Sequence, residues 1–127
     1  TLAHGTPGSL HVTYTLLLQD AHGQVVETHS VSAGLDYSAV GPEHALWKTT
    51  GRGTYEVADD EAAMAALYEL SRCEGILPAV ETAHAFAGAR SWAQRHPGSL
   101  LIVGCSGRGD KDLPILEAWE RTHGGAR

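Results

Sequence analysis

Residues 100–112 read LLIVGCSGRGDKD, and how this stretch folds decides the fold of the rest. Leu100, Leu101, Ile102 and Val103 form an apolar run closed before by Pro97-Gly98 and after by Gly104. A short apolar run between turn residues predicts a strand buried on both faces of a parallel sheet. The loop that follows, Ser106-Gly107-Arg108-Gly109-Asp110, then falls at the carboxyl end of that strand, where open α/β sheets bind their ligands. Glycines on either side of Ser106 let the backbone approach a bound group that a bulkier loop would exclude.

The common nucleotide motifs do not fit this loop. Gly104 and Gly109 have P-loop spacing, but Asp110 follows where Lys is required, and its charge repels phosphate. Gly107 and Gly109 supply two glycines of a dinucleotide fingerprint, and Asp112 stands where the third belongs. From this stretch alone the plainer reading is a strand–loop–helix junction in which Ser106 and Asp110 satisfy loop amides.

Working outward, 127 residues with a net charge of −6 and 43% hydrophobic content suit one modest core. The acidic balance and the lack of a basic cluster argue against a nucleic-acid surface. No apolar run is of membrane-spanning length and no signal peptide is recognisable. Cys73 and Cys105 are too few for a disulfide framework, so a cytoplasmic location is expected. A chain beginning at Thr1 is expected to be a processed or truncated piece.

In chain order, Thr1–Ser9 reads as a loop and Leu10–Gln19 as a strand. Asp20-Ala21-His22-Gly23 is a turn, and Val25–Thr28 a second strand hairpinned to the first. Residues 28–44, THSVSAGLDYSAVGPEH, lack a period and read as an ordered loop with internal hydrogen bonds from Ser30, Ser32 and Asp36. Pro42 opens a short helix through Lys48. Tyr55-Glu56-Val57 reads as a short strand. Asp59 is an N-cap, followed by acidic Asp60 and Glu61. The helix they start buries Ala63, Ala66, Leu67 and Leu70, and ends near Cys73 before Gly75. Ile76-Leu77 links it to a helix opened by Pro78 and running to about Arg95, with Ala83 and Ala87 allowing close packing. After the Leu100 strand a last helix covers Ile115–Arg121. The expectation is a layered α/β fold, a parallel sheet flanked by helices, in a single partial domain spanning 1–127. Its ends, 1–9 and 123–127, are expected to be loose.

Chemistry by local motif is sparse. None of the eight histidines lies in a metal-ligating spacing. Cys105 has no activating base near it in sequence, and Ser106 is not in a nucleophile elbow. Glu81 stands in the first turn of the helix that Pro78 opens. It reads as a helix-dipole carboxylate or as a carboxylate facing a site shared with Ser106.

Three separated stretches carry a resemblance: HSVSAGLDYSAVGPEHA (29–45), EGILPAVETAHA (74–85) and SGRGDKD (106–112). Together with GQVVETHS and DDEA in register, they resemble the β subunit of tryptophan synthase, over about Gly5 to Asp112 and in the C-terminal portion of that family's chain. The resemblance implies an α/β fold of the fold-type II class that uses pyridoxal 5'-phosphate. The implied reaction is that of a carbon–oxygen lyase in tryptophan biosynthesis, condensing L-serine with indole. It implies that Ser106, followed by Gly107, hydrogen-bonds the cofactor's pyridine nitrogen. A hydroxyl partner leaves that nitrogen largely unprotonated. It further implies that Gly34 lies beside the cofactor ring, that Glu81 faces the cofactor region and that Asp36 helps close the site. Backbone carbonyls of Leu35 and Tyr37 are implied to hold a monovalent cation, Na⁺ or K⁺. The implied partners are the rest of the β chain, the α subunit and a second β subunit.

The departures are specific. The family usually has Asn-Leu where Gly104-Cys105 stand, and Pro where Ser38 follows Asp36-Tyr37; the latter removes a fixed φ from the loop. The Schiff-base lysine of the family, in a His-Lys dipeptide, and its glycine-rich phosphate loop are not found among these residues. Lys48 and Lys111 match neither role, so these 127 residues are expected to be inactive by themselves. The alternative is a non-catalytic α/β binding module on the same scaffold. Threonine synthase and serine dehydratase, also fold-type II, are disfavoured by HSVSAGLDY.

Overall fold

The computed structural model describes residues 1–124, which form two compact units divided after Val57. In the first unit, β1 (Thr6–Leu10) and β2 (Thr13–Leu17) pair antiparallel, with Thr6 opposite Leu17 and Leu10 opposite Thr13. The strand expected over Leu10–Gln19 is therefore a hairpin arm, and its partner lies inside the stretch read as a loop. The two residues at the tip explain the difference. His11 and Val12 take φ of 50° and 67°, the positive values a two-residue hairpin turn needs, without the Asn-Gly or Asp-Gly that announces such a turn. Alternation along β2 buries Thr15 and Leu17 and exposes Tyr14.

The chain then doubles back on β2. The Asp20 carboxylate accepts from the His22 and Gln24 amides, closing the expected turn. The expected strand over Val25–Thr28 reduces to a single bridge, Val25 to Gln19, beside a bond from the Val26 amide to the Leu18 carbonyl. Residues 38–40 run along the other side. The Leu18 amide donates to the Ser38 carbonyl, Leu17 bridges Ala39, and the Thr15 hydroxyl donates to the Val40 carbonyl at 2.6 Å. At position 38, where the resemblance led to an expectation of proline, the Ser38 hydroxyl donates to the Val26 carbonyl at 2.6 Å. Helix α1 (Pro42–Thr49) starts on Pro42 and buries Ala45. The strand expected at Tyr55–Val57 does not form; the Tyr55 hydroxyl instead meets His44 Nδ1 at 3.0 Å.

The second unit is built on α2 (Asp60–Glu74) and α3 (Val80–Arg95). The Asp59 carboxylate accepts from the Ala62 amide at 2.8 Å, and Gly75 ends α2 at φ 67°, as the capping residues predict. The buried stripe is Ala63, Met64, Ala66 and Leu67; Met64 was not expected in it, and Leu70, which was, is half-buried. On α3, Val80, Thr82, Ala83 and Ala87 are buried. The small side chains let the two helices approach closely, and Arg90 pairs with Glu69 at 3.0 Å across them. A 3₁₀ turn, Gly109–Asp112, leads into α4 (Leu113–His123), which extends the expected helix at both ends. The expected tail from His123 begins inside this helix, and its part from Gly125 to Arg127 lies outside the described residues.

The Leu100–Val103 stretch departs most from its expectation. It forms no strand, and Leu100 and Ile102 are 93% and 96% exposed. An apolar run specifies burial, but a parallel strand also needs a neighbouring backbone. Among the described residues none pairs with it, and the one sheet is the antiparallel β1–β2 pair.

Val12 is a β-branched residue in a left-handed conformation, and its side chain is wholly exposed, so nothing is gained from it there. Val12→Gly is expected to stabilise the first unit by about 1 kcal/mol, the left-handed penalty less part of the entropy cost of glycine. A thermal melt checks this; a lower Tm in the variant would count against the turn.

Candidate functional site

The segment before α3 and the Ser106 loop meet as a short two-stranded contact. Pro78 bridges Arg108 antiparallel, the Ala79 amide donates to the Gly107 carbonyl at 3.0 Å, and the Gly109 amide donates to the Leu77 carbonyl at 2.9 Å. Glycine is required here by proximity. A Cβ on Gly109 would lie 2.3 Å from the Pro78 carbonyl oxygen, and one on Gly107 would lie 3.0 Å from the Ala79 Cβ. Ser106 is thereby set beside the first turn of α3, where its hydroxyl and that of Thr82 are 3.3 Å apart.

Helix α3 has no cap of its own, since Ala79 offers no side-chain acceptor. Asp112, 32 residues away, takes that place: its Oδ2 accepts from the Val80 amide at 2.9 Å in a buried contact. A carboxylate at this end also meets the positive pole of the helix. Its Oδ1 accepts from the Lys111 ammonium at 2.6 Å, and the same ammonium donates to Glu81 Oε2 at 3.0 Å. Hydrogen bonds to Asp112 first, and then to Glu81, hold Lys111 above its ordinary value of 10.5. Asp110, the other sequence neighbour of Lys111, is turned to the Arg108 guanidinium at 3.0 Å rather than to loop amides.

Ser106, Gly107 and Glu81 therefore gather in the second unit, at the start of α3. Gly34, Leu35, Asp36 and Tyr37 belong to the first unit. There the Ser32 carbonyl accepts from the Leu35 and Asp36 amides, the Leu35 carbonyl from the Tyr37 amide, and the Tyr37 carbonyl from the Thr1 hydroxyl. The Ser32 hydroxyl and Asp36 Oδ1 are buried without a hydrogen-bond partner. Sequence reasoning missed Thr82, Gly109 and the capping role of Asp112. Part of the signal for the last was available: a helix opened by Pro-Ala lacks a local side-chain acceptor and takes one from elsewhere.

Among the described residues no group of three or more His, Cys, Asp or Glu side chains gathers to hold a metal ion, and no helix is long and apolar enough to cross a membrane. No family model matches the chain. Curated relatives do. The chain is 55% identical over 115 residues to the tryptophan synthase beta chain of Streptomyces coelicolor, covering 89% of this chain and 27% of the relative. It is 53% identical to that of Nitrosomonas europaea (91% and 30%) and 49% identical to that of Mycobacterium leprae (94% and 29%). All three of these relatives are tryptophan synthase beta chains. More particularly, the chain is homologous to a segment of the tryptophan synthase β chain, and it spans less than a third of the length of these relatives.

Two outcomes test this geometry. Gly109→Ala is expected to cost about 2–3 kcal/mol in urea unfolding, because the clash is with backbone. Asp112→Ala is expected to cost about 1–3 kcal/mol by leaving the Val80 amide without its acceptor, and Asp112→Asn, which keeps one, less.

A further outcome concerns pH. Burial, and then the Glu120 carboxylate, hold the Tyr68 hydroxyl above 10.0, and Lys111 is likewise raised. Both groups bind their proton more tightly when folded. Their contribution is present below the unfolded values and is lost as pH rises through the folded ones. Stability should fall above about pH 10 and fall less steeply in a Tyr68→Phe, Lys111→Met double variant; equal slopes would contradict the two contacts.

Proposed function

We propose that this chain is part of a tryptophan synthase β-type enzyme and that its second unit supplies one wall of a pyridoxal 5'-phosphate site. The reaction is the condensation of L-serine with indole to L-tryptophan. The observation that carries this reading is the juxtaposition of Ser106 with the α3 N-terminus through the Pro78–Arg108 bridge. Homology over about nine tenths of the chain supports it.

The residues present fit the ring end of that cofactor. Ser106 is exposed, and its hydroxyl lies a long 3.3 Å from that of Thr82. A neutral hydroxyl there can donate to an unprotonated pyridine nitrogen, which a carboxylate would instead protonate. Gly107, pressed on Ala79, lets the loop lie flat against the helix start. The cofactor, when bound, supplies the electron sink for breaking serine's carbon–oxygen bond. Ser106 would hold and tune that ring, and Glu81 would present a carboxylate to it.

The residues present do not fit covalent attachment. Lys111 is committed as an ammonium to two carboxylates, and Lys48 donates to the Leu2 carbonyl in the first unit. Neither is the desolvated amine that such a nucleophile requires. The lysine must come from residues other than these 127. In the first unit the same reading gives Gly34 a place beside the ring, Asp36 a role in closure, and the Leu35 and Tyr37 carbonyls a monovalent cation. The α subunit and a second β subunit are the partners it implies.

The test is complementation. These 127 residues alone, with pyridoxal phosphate, serine and indole, should make no tryptophan and yield no borohydride-trapped lysine. Co-expression with the Streptomyces coelicolor β chain lacking the matched segment should give activity, reduced by Ser106→Ala. Trapping on Lys111 with turnover by the chain alone, or no activity with the complement, would overturn the proposal.

A further inference from the structure

The lysine that cannot anchor the cofactor has a different use. Four groups form a continuous chain: the Val80 amide, the Asp112 carboxylate, the Lys111 ammonium and the Glu81 carboxylate, joined at 2.9, 2.6 and 3.0 Å. The first link is immobile, since the Asp112 side chain is 6% exposed and bonded to helix backbone. The last is mobile by nature. Glu81 has three side-chain torsions and sits in the first turn of α3, where the helix dipole attracts its charge without directing it. Lys111 transfers the fixed position of Asp112 to Glu81.

We propose that Lys111 is the positioning residue for Glu81: it holds that carboxylate ionised and in one orientation at the start of α3. The inference rests on the reading of Glu81 as facing the cofactor. The Lys111 and Glu81 side chains are 54% and 30% exposed, and a pair so open adds little to stability. Of the neighbouring polar groups, Asp110 pairs with Arg108, and His84 Nδ1 meets the Val80 carbonyl at 2.8 Å. Asp112 serves the helix and the lysine with different oxygens, so the two contacts do not displace each other.

The experiment compares wild type, Lys111→Met and Lys111→Arg in two settings. In the chain as it stands, carboxyl-carbon NMR follows the titration of Glu81. Lys111→Met should move it to higher pH by removing the adjacent cation, and Lys111→Arg should restore it. In the complemented enzyme, Lys111→Met should lower kcat about tenfold while leaving the KM for serine little changed, with recovery in Lys111→Arg. An unmoved Glu81 titration in Lys111→Met overturns the proposal. So does an unchanged kcat in an enzyme whose activity does respond to Ser106→Ala, and that result leaves the functional reading intact. If the complemented wild type is inactive, the functional reading falls, and the NMR titration still decides whether Lys111 governs Glu81.

Discussion

The contact on which the second unit depends is the buried bond between the Asp112 carboxylate and the Val80 amide. It does three things at once. It caps a helix that has no local cap, it fixes the 3₁₀ turn against that helix, and it sets the Ser106 loop in register with Pro78 and Ala79. The glycines at 107 and 109 make this approach sterically possible, and the carboxylate makes it favourable. Remove the acceptor and the first amide of α3 is left buried and unpaired, at a cost comparable to a large share of a small unit's stability.

The functional groups follow from that arrangement. Thr82 and Glu81 ride on the first turn of α3, so whatever fixes Val80 fixes them. Ser106 comes from the opposite segment and meets Thr82. The proposed cofactor wall thus has no fragile loop behind it: it is a helix start and a glycine-rich segment locked together by backbone hydrogen bonds. Both polar kinds are present along it, neutral hydroxyls at Ser106 and Thr82 and the linked charges of Glu81, Lys111 and Asp112.

Much of this was legible in the sequence. Capping residues located α2 at both ends, Pro42 located α1, and the alanines of α3 marked its buried face. The stretches containing Ser106, Glu81 and Asp36 carried the family resemblance that homology at 49–55% identity bears out. What was not legible depended on partners distant in sequence. The hairpin of the first unit turns on His11-Val12, which carry no turn signature. The apolar run 100–103 announced a strand, yet pairing is a property of two backbones, and among the described residues none pairs with it. Asp112 looked like a misfit in a glycine motif, and only the fold shows that it serves a helix 32 residues away.

The central claim is that Ser106 meets the cofactor ring as a neutral hydroxyl. The direct measurement is nitrogen NMR of the complemented enzyme carrying pyridoxal phosphate labelled at its ring nitrogen. The account predicts the shift of an unprotonated, hydrogen-bonded pyridine, displaced in Ser106→Ala and converted to the protonated form in Ser106→Asp. A protonated ring in the unsubstituted chain, or a shift indifferent to both substitutions, would contradict it.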